Sequence, residues 1–254
     1  MPEEREAYEE DLIAFCDHEL DLLGDIEGLD VLYAGGSSSL WLEGLSQRIG
    51  SKGTLTALEA DTERVEEGRE LLREADLAAP VRIVAGNVFR PPFEKGTFDL
   101  TYSAGLFHEL DVRDGSADDA LAALASVVRS GGRVATSDFI NSVPAAQIED
   151  EELQRELARE ILGADLYGIG SPGRLILLHK TVLAEVWWRV SLSRCVHHLD
   201  KIVLAEEEPQ ELRSLLAEKR RRLRVRREAL RERIEREGYT RPATLYAQGV
   251  VTEG

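Results

Sequence analysis

A short apolar run ending in paired glycines constrains this chain more than any other stretch. Leu29-Asp-Val-Leu-Tyr-Ala-Gly-Gly-Ser-Ser-Ser-Leu40 reads as strand, tight loop and helix. Asp30 to Ala34 has the length and apolarity of a buried parallel strand, Gly35-Gly36 is a turn, and Ser37 to Ser39 can cap the helix that follows. Glycines in such a loop let the backbone take positive φ and let a ligand approach closely, while the free N–H groups of the next helix point at it. A second apolar strand, Thr54 to Leu58, ends at Glu59, about 20 residues beyond the turn, where a carboxylate can accept hydrogen bonds from a ribose. Taken alone, Gly-Gly-Ser-Ser-Ser is equally an ordinary flexible βα loop. The turn and the carboxylate together are more specific than either.

The rest of the first half repeats the βα pattern. Glu3 to Leu23 carries apolar residues at helical spacing and ends at Gly24, a leading helix. Leu40–Ile49 and Thr62–Ala75 read as helices. Val81–Ala85, Phe98–Ser103 and Arg133–Phe139 read as strands, and a helix over Asp118–Arg129 stops at Ser130-Gly131-Gly132. Alternation of this kind predicts an α/β, doubly wound, mostly parallel sheet that binds ligands at the carboxyl ends of its strands. Gly35, Glu59, Asn87 and Ser103 all fall at such ends.

Composition sets outer bounds. A chain of 254 residues with 43% hydrophobic content and no run of membrane-spanning length is expected to be a soluble globular protein, with the cytoplasm as its compartment. Met-Pro-Glu-Glu-Arg-Glu has neither a basic nor an apolar leader region, so no secretory signal is expected. A net charge of −17 disfavours nucleic acid and anionic membranes as partners and favours a cationic small ligand. Cys16 and Cys195 are too few for a disulfide framework, and no His, Cys or carboxylate cluster has metal-ligand spacing, so no metal is assigned. Gly35 to Leu40 lacks the later glycines of a dinucleotide fingerprint, which sets NAD aside.

From about residue 28 to 140 the chain resembles the class I S-adenosylmethionine-dependent methyltransferases, especially the small-molecule group. The likeness rests on Val31-Leu-Tyr-Ala-Gly-Gly-Ser, Leu58-Glu-Ala-Asp61, Gly86-Asn-Val-Phe-Arg-Pro-Pro-Phe93, Phe98-Asp-Leu-Thr-Tyr-Ser-Ala-Gly-Leu-Phe-His108 and Val128-Arg-Ser-Gly-Gly-Arg-Val134, in order and at family spacing. It implies a Rossmann-like seven-stranded sheet and S-adenosyl-L-methionine as cofactor. Carried over by position, Ala34, Gly35, Gly36 and Ser37 would line the methionine and ribose side, and Glu59 would hold the ribose hydroxyls. Ala60 would sit beside the adenine, Asn87 would accept from its amine, Val88 would pack on its ring, and Ser103 would mark the floor between cofactor and substrate. Asn87 is by itself equally a turn residue after Gly86. The chain departs from the family at Tyr33, where an acid is usual, and at Ser37 and Ser39, where glycines are usual.

Four segments follow from this reading: 1–27 a leading helix, 28–140 the cofactor-binding core, 141–223 a helical insertion serving as lid, substrate wall or dimer face, and 224–254 the last helix and a closing hairpin. Within the insertion, helices are expected over Ile148–Leu162 and Leu175–Leu204, and the hairpin over Ala243–Tyr246 and Val250–Thr252. Trp187-Trp188 read as packing or a dimer face in preference to a site, and His197-His198 as surface or core histidines in preference to a metal pair. The arginine-rich Glu218–Glu235 keeps Leu223, Leu230 and Ile234 in a helical seam and reads as an amphipathic helix laced with ion pairs. It could alternatively dock the acidic first helix of a neighbouring subunit in a homodimer.

Methyl transfer by in-line attack asks mainly for alignment and exclusion of water, with a base where the acceptor must lose a proton. His108, just past the fourth strand, is the candidate catalytic residue, and Tyr167 and His179 are candidate substrate contacts. Other uses of the same frame are transfer of an aminocarboxypropyl group and a noncatalytic binding or assembly role.

Overall fold

The computed structural model describes residues 2–141, 145–191, 212–213, 215–240 and 242–253. Strands β1 (Asp30–Ala34), β2 (Thr54–Glu59), β3 (Val81–Ala85), β4 (Phe98–Ala104) and β5 (Val128–Ile140) are mutually parallel. With β6 (Ala184–Ser191) and β7 (Ala243–Val250) they form a sheet in the order β3-β2-β1-β4-β5-β7-β6, in which β7 is antiparallel to both neighbours. β1 has helices over both faces, which is why its sequence is a continuous apolar run: Leu32 enters one core, and Val31 and Tyr33 enter the other. Helices α1 (Pro2–Asp21), α2 (Ser39–Ile49) and α3 (Thr62–Leu72) cover one face, while α4 (Ala117–Ser126) and α6 (Pro172–Val182) cover the other. Helices α5 (Ala145–Ile161) and α7 (Ala217–Glu237) build a third small core through Leu153, Leu157, Leu223, Leu230 and Ile234.

Local chemistry explains the helix starts near the site. Asp61 caps α3 by accepting from the Glu63 and Arg64 N–H groups, and Ser116 with Asp119 forms a reciprocal capping box on α4. At α2 the N-cap is Ser38, and its side chain makes no capping hydrogen bond.

Three expectations are corrected. The segment Leu175–Leu204 is not one helix: α6 ends at Val182, and β6 takes Trp187 and Trp188 into the sheet against Gln248 and Ala247. Val186, Trp187, Trp188 and Val190 suit a pleated surface better than a helix, and β7 supplies the partner strand. The insertion is therefore not wholly helical, and residues 192–204, with Cys195, His197 and His198, lie outside the described residues. The closing hairpin is instead the single strand β7. Gly249 lies inside the strand, where a Cβ would come within 2.6 Å of the Leu183 Cβ. The last helix begins at Ala217, so the boundary expected between 223 and 224 falls inside it. Its arginine-rich face meets α5 of the same chain: Arg222 and Arg226 pair with Glu156, Lys219 with Glu160 and Arg233 with Glu149. Docking of α1 from a neighbour is not needed to explain those charges.

Candidate active site

The carboxyl ends of β1, β2, β4 and β5 open into one groove. Its main cleft, about 580 Å³, is bounded by Tyr33, the Gly35–Ser39 loop, Trp41, Glu59, Arg64, Gly105, His108 and Phe139. A cavity of about 250 Å³ continues from it across Leu58, Glu59, Ala60, Gly86, Asn87 and Val88. Gly35, Glu59, Arg64 and Glu109 belong to both.

Gly35 is where the loop demands glycine. Its φ is +91°, and a Cβ would come within 2.6 Å of Leu106 Cδ1. The Gly35 and Gly36 N–H groups donate to the Leu58 carbonyl at 3.0 and 3.3 Å, which brings the loop beside Glu59. Ser37 and Ser39 have no positive φ, so the two departures from glycine cost the backbone nothing. Ser38 does not cap α2 with its side chain, so the first N–H groups of that helix carry no side-chain cap from it.

Glu59 is buried at the tip of β2, 8% exposed. One of its oxygens accepts from the Asp61 N–H at 2.9 Å, and the acceptor capacity that remains on the carboxylate is placed in the groove. Ala60 and Val88 line the neighbouring cavity. Asn87 lines it too, but its Oδ1 accepts from the Phe89 N–H at 2.9 Å, so the turn role is realised and one lone pair of the carbonyl remains.

His108 stands at the opposite end. β4 ends at Ala104, Gly105 turns the chain at φ +66°, and a single 3-10 turn over Phe107–Glu109 buries Phe107 and leaves His108 on the cleft. Its Nδ1 lies 2.9 Å from Asp138 Oδ1 on β5, and its ring packs on Phe139 with centroids 4.9 Å apart. Asp138 is itself fixed by the Phe107 and Phe139 N–H groups. A carboxylate on Nδ1 places the proton there and leaves Nε2 for exchange. Burial would lower the ring's pKa, but the hydrogen bond and charge of Asp138, with Glu109 and Glu151 behind them, outweigh it and raise the pKa to about 9.

The other expected contacts lie elsewhere. Ser103 is buried within β4, 1% exposed, with no hydrogen bond to its Oγ; Ala104 and Gly105, one and two residues on, form the wall instead. His179 is fully buried between α6 and β5. Its Nδ1 donates to the Leu175 carbonyl at 2.7 Å and its Nε2 accepts from the Thr136 hydroxyl at 2.9 Å, so both nitrogens are used in the core and burial lowers its pKa. Tyr167 sits under the Arg174 guanidinium, 3.2 Å from ring centroid to Cζ, and packs against the α4/α6 core.

Trp41, Arg64, Glu109 and Asp138 were missed in the sequence. Asp138 carried a readable signal, an acid at the carboxyl end of an apolar strand in a fold whose sites lie there. Trp41, in the first turn of α2, looked like any core aromatic. No cluster of potential metal ligands occurs among the described residues.

The comparisons with known proteins agree with this geometry. Residues 31–132 match the family described as a methyltransferase domain. Over 143 residues the chain is 32% identical to the ubiquinone/menaquinone biosynthesis C-methyltransferase of Idiomarina loihiensis, covering 53% of this chain and 55% of that protein. Among solved structures it resembles the YcgJ protein of Bacillus subtilis, with TM-score 0.59, 15% identity, and coverage of 93% of this chain and 99% of that one. It also resembles the geranyl diphosphate C-methyltransferase of Streptomyces coelicolor A3(2), solved with Mg2+, geranyl diphosphate and S-adenosyl-L-homocysteine, with TM-score 0.55, 16% identity, and coverage of 94% and 77%.

Residues 31–132 are thus similar to a methyltransferase domain, and the sheet around them has the fold of solved methyltransferases. The chain spans about half the length of the curated relatives it matches. The residues present fit the cofactor. A buried carboxylate with spare acceptor capacity suits a ribose, an uncapped helix N-terminus suits a carboxylate, and Glu59, Glu67 and Glu109 around the cleft suit a sulfonium.

Proposed function

We propose that this protein methylates a small-molecule acceptor with S-adenosylmethionine, by in-line attack, in the groove between Glu59 and His108. The observation that carries the reading is that one continuous groove joins a buried carboxylate with spare acceptor capacity, a glycine loop and a histidine–aspartate pair. The cofactor supplies an electrophilic methyl group on a sulfonium. Glu59 would hold the ribose hydroxyls, Ala60, Asn87 and Val88 would border the adenine, and Ala34 to Ser37 with the α2 N-terminus would hold the methionine end. These contacts fix the line of attack, and closing the groove removes competing water.

His108 is the proposed base. An acceptor carbon or hydroxyl that gains a methyl loses a proton, and Nε2 can take it once the ring is neutral. With its pKa raised to about 9, the neutral fraction grows through that range, so activity is expected to rise with pH up to about 9 and then level off. In Asp138→Asn the rise should move to lower pH, since burial then acts on the ring without the opposing charge; a profile unmoved by the substitution would exclude His108 as the group titrating.

C-methyl transfer, named for the Idiomarina relative, is consistent with a base of this kind. Helix α5 is read as the outer wall of the acceptor side, because Glu151 on it is among the charges that act on His108. No helix among the described residues is long and apolar enough to cross a membrane. We take the cytoplasm as the compartment and a homodimer as compatible with this site. Mass analysis of the product tests the reaction: one methyl gained supports it, and gain of an aminocarboxypropyl group contradicts it.

A further inference from the structure

Glu19 is the odd residue of the first helix. It is fully buried, and no cation pairs with it among the described residues. Its oxygens instead accept from two hydroxyls, Ser137 on β5 and Thr244 on β7, the latter at 3.1 Å. Burying a carboxyl against hydroxyls alone is a poor way to tie a helix to a sheet, since apolar packing would do so without the desolvation cost.

Both residues, Ser137 and Thr244, border a recess of about 90 Å³ that adjoins the main cleft. Its walls are aromatic: Phe15 from α1, Trp41 from α2 and Phe139 from β5. Phe15 meets Trp41 edge to face at 6.4 Å, and Trp41 stacks on Tyr33 at an interplanar angle of 19°. The recess is smaller than the roughly 150 Å³ that encloses a benzene. It shares Trp41, Gly105 and Phe139 with the cleft, so a ring seated here keeps its rim in the cleft where the transferred group must pass.

Ser137 and Thr244 spend their protons on Glu19, so each hydroxyl has only lone pairs left to offer. We propose that this recess is the acceptor subsite and that Glu19, through Ser137 and Thr244, makes its floor select a flat ring entering with a hydrogen-bond donor, a hydroxyl or amino group. An ether or a carbonyl at the same place would leave the floor's acceptors facing another acceptor. The inference rests on the methyltransferase reading of the groove. Glu19 acts here as a positioning residue, because it orients the two hydroxyls and does not itself border the recess.

Phenol and anisole are the probes, titrated into the full chain with and without S-adenosylhomocysteine and followed by ligand-observed NMR. Phenol is expected to bind about tenfold tighter than anisole, the equivalent of one hydrogen bond. In Ser137→Ala/Thr244→Val, and in Glu19→Gln, whose amide can donate to one of the two hydroxyls and so free that hydroxyl's proton toward the recess, the preference should fall to within about twofold. Affinity for S-adenosylhomocysteine by calorimetry should stay unchanged, a pattern that a purely structural tie would not give. Equal binding of the two probes to the unsubstituted protein, or a preference that survives in the double variant, overturns the inference. If S-adenosylhomocysteine binds and the preference is absent, the inference alone fails. If the preference is present and S-adenosylhomocysteine does not bind, the methyltransferase reading fails and the recess stands as a small-molecule site.

Discussion

Ser37 stands where the family the chain resembles usually has a glycine, and it lies close against Gly68 of α3. A Cβ on Gly68 would meet Ser37 Cβ at 2.8 Å and Ile83 Cδ1 at 2.7 Å, so the side chain added to the loop is matched by one absent from α3. Gly68→Ala is expected to destabilise the fold by about 1–3 kcal/mol through overpacking. In a Ser37→Gly background the cost should drop by at least about 0.5 kcal/mol, read from urea denaturation of the four proteins of the cycle; strict additivity would show that the two positions do not compensate each other. Gly35→Ala should cost a similar amount for a different reason, strain at φ +91° and collision with Leu106, and no second substitution in α3 should rescue it. The loop therefore accepts a side chain at position 37 because α3 carries none opposite it. Tyr33 is explained by packing, since it lies buried between Trp41 and Tyr102 with centroids 6.4 and 6.0 Å away.

His108 also belongs to this scale. Its folded-state pKa of about 9 lies above the ordinary 6.5, so the stability it contributes is fully present below about pH 6.5 and is lost as pH rises through about 9. Titration of the ring protons by NMR should give a midpoint near that value, and Asp138→Asn should bring it down, below the ordinary range if burial then dominates. A midpoint already at the ordinary value in the unsubstituted protein would mean that the Asp138 contact is not made in solution.

At the scale of elements, regular βα units were legible and edges were not. Strands β1 to β4 and helices α2 to α4 follow from apolar periodicity, capping residues and glycine stops, because each packs locally against its neighbours in sequence. β6 and β7 depend on each other across a long stretch of chain. Neither has a local signal strong enough to overrule the helix-like leucines before Trp187 or the glycine at 249. The α5–α7 pair shows the same limit: the arginines announced a charged face, but its partner could be found only in three dimensions. Glu156 faces both Arg222 and Arg226, with side chains between 20% and 56% exposed. Glu156→Gln is therefore expected to cost no more than about 1 kcal/mol, with the loss shrinking as salt is raised. A loss that is independent of salt would point to packing in the third core instead of charge.

Over the whole molecule, the sequence showed the frame and the cofactor end of the groove better than the acceptor end. Gly35, Glu59 and Asn87 sit on strand tips whose position follows from topology alone. The recess proposed for the acceptor is built where α1, α2, β5 and β7 meet, so Trp41, Asp138, Ser137 and Thr244 converge only once the sheet is complete. Ser103 and His179 lie in the core for the same reason: a residue near a strand tip or on a wall helix can be buried, as the 1% exposure of Ser103 and the two satisfied ring nitrogens of His179 show.

Everything proposed for this groove depends on its holding the cofactor. Isothermal titration calorimetry with S-adenosylmethionine and S-adenosylhomocysteine, on the unsubstituted protein and on Glu59→Ala, is the most direct test. Saturable binding of both ligands is predicted, weakened by about tenfold or more when the ribose-binding carboxylate is removed, with the fold retained. Absence of binding at millimolar ligand, or affinity unchanged in Glu59→Ala, would contradict it.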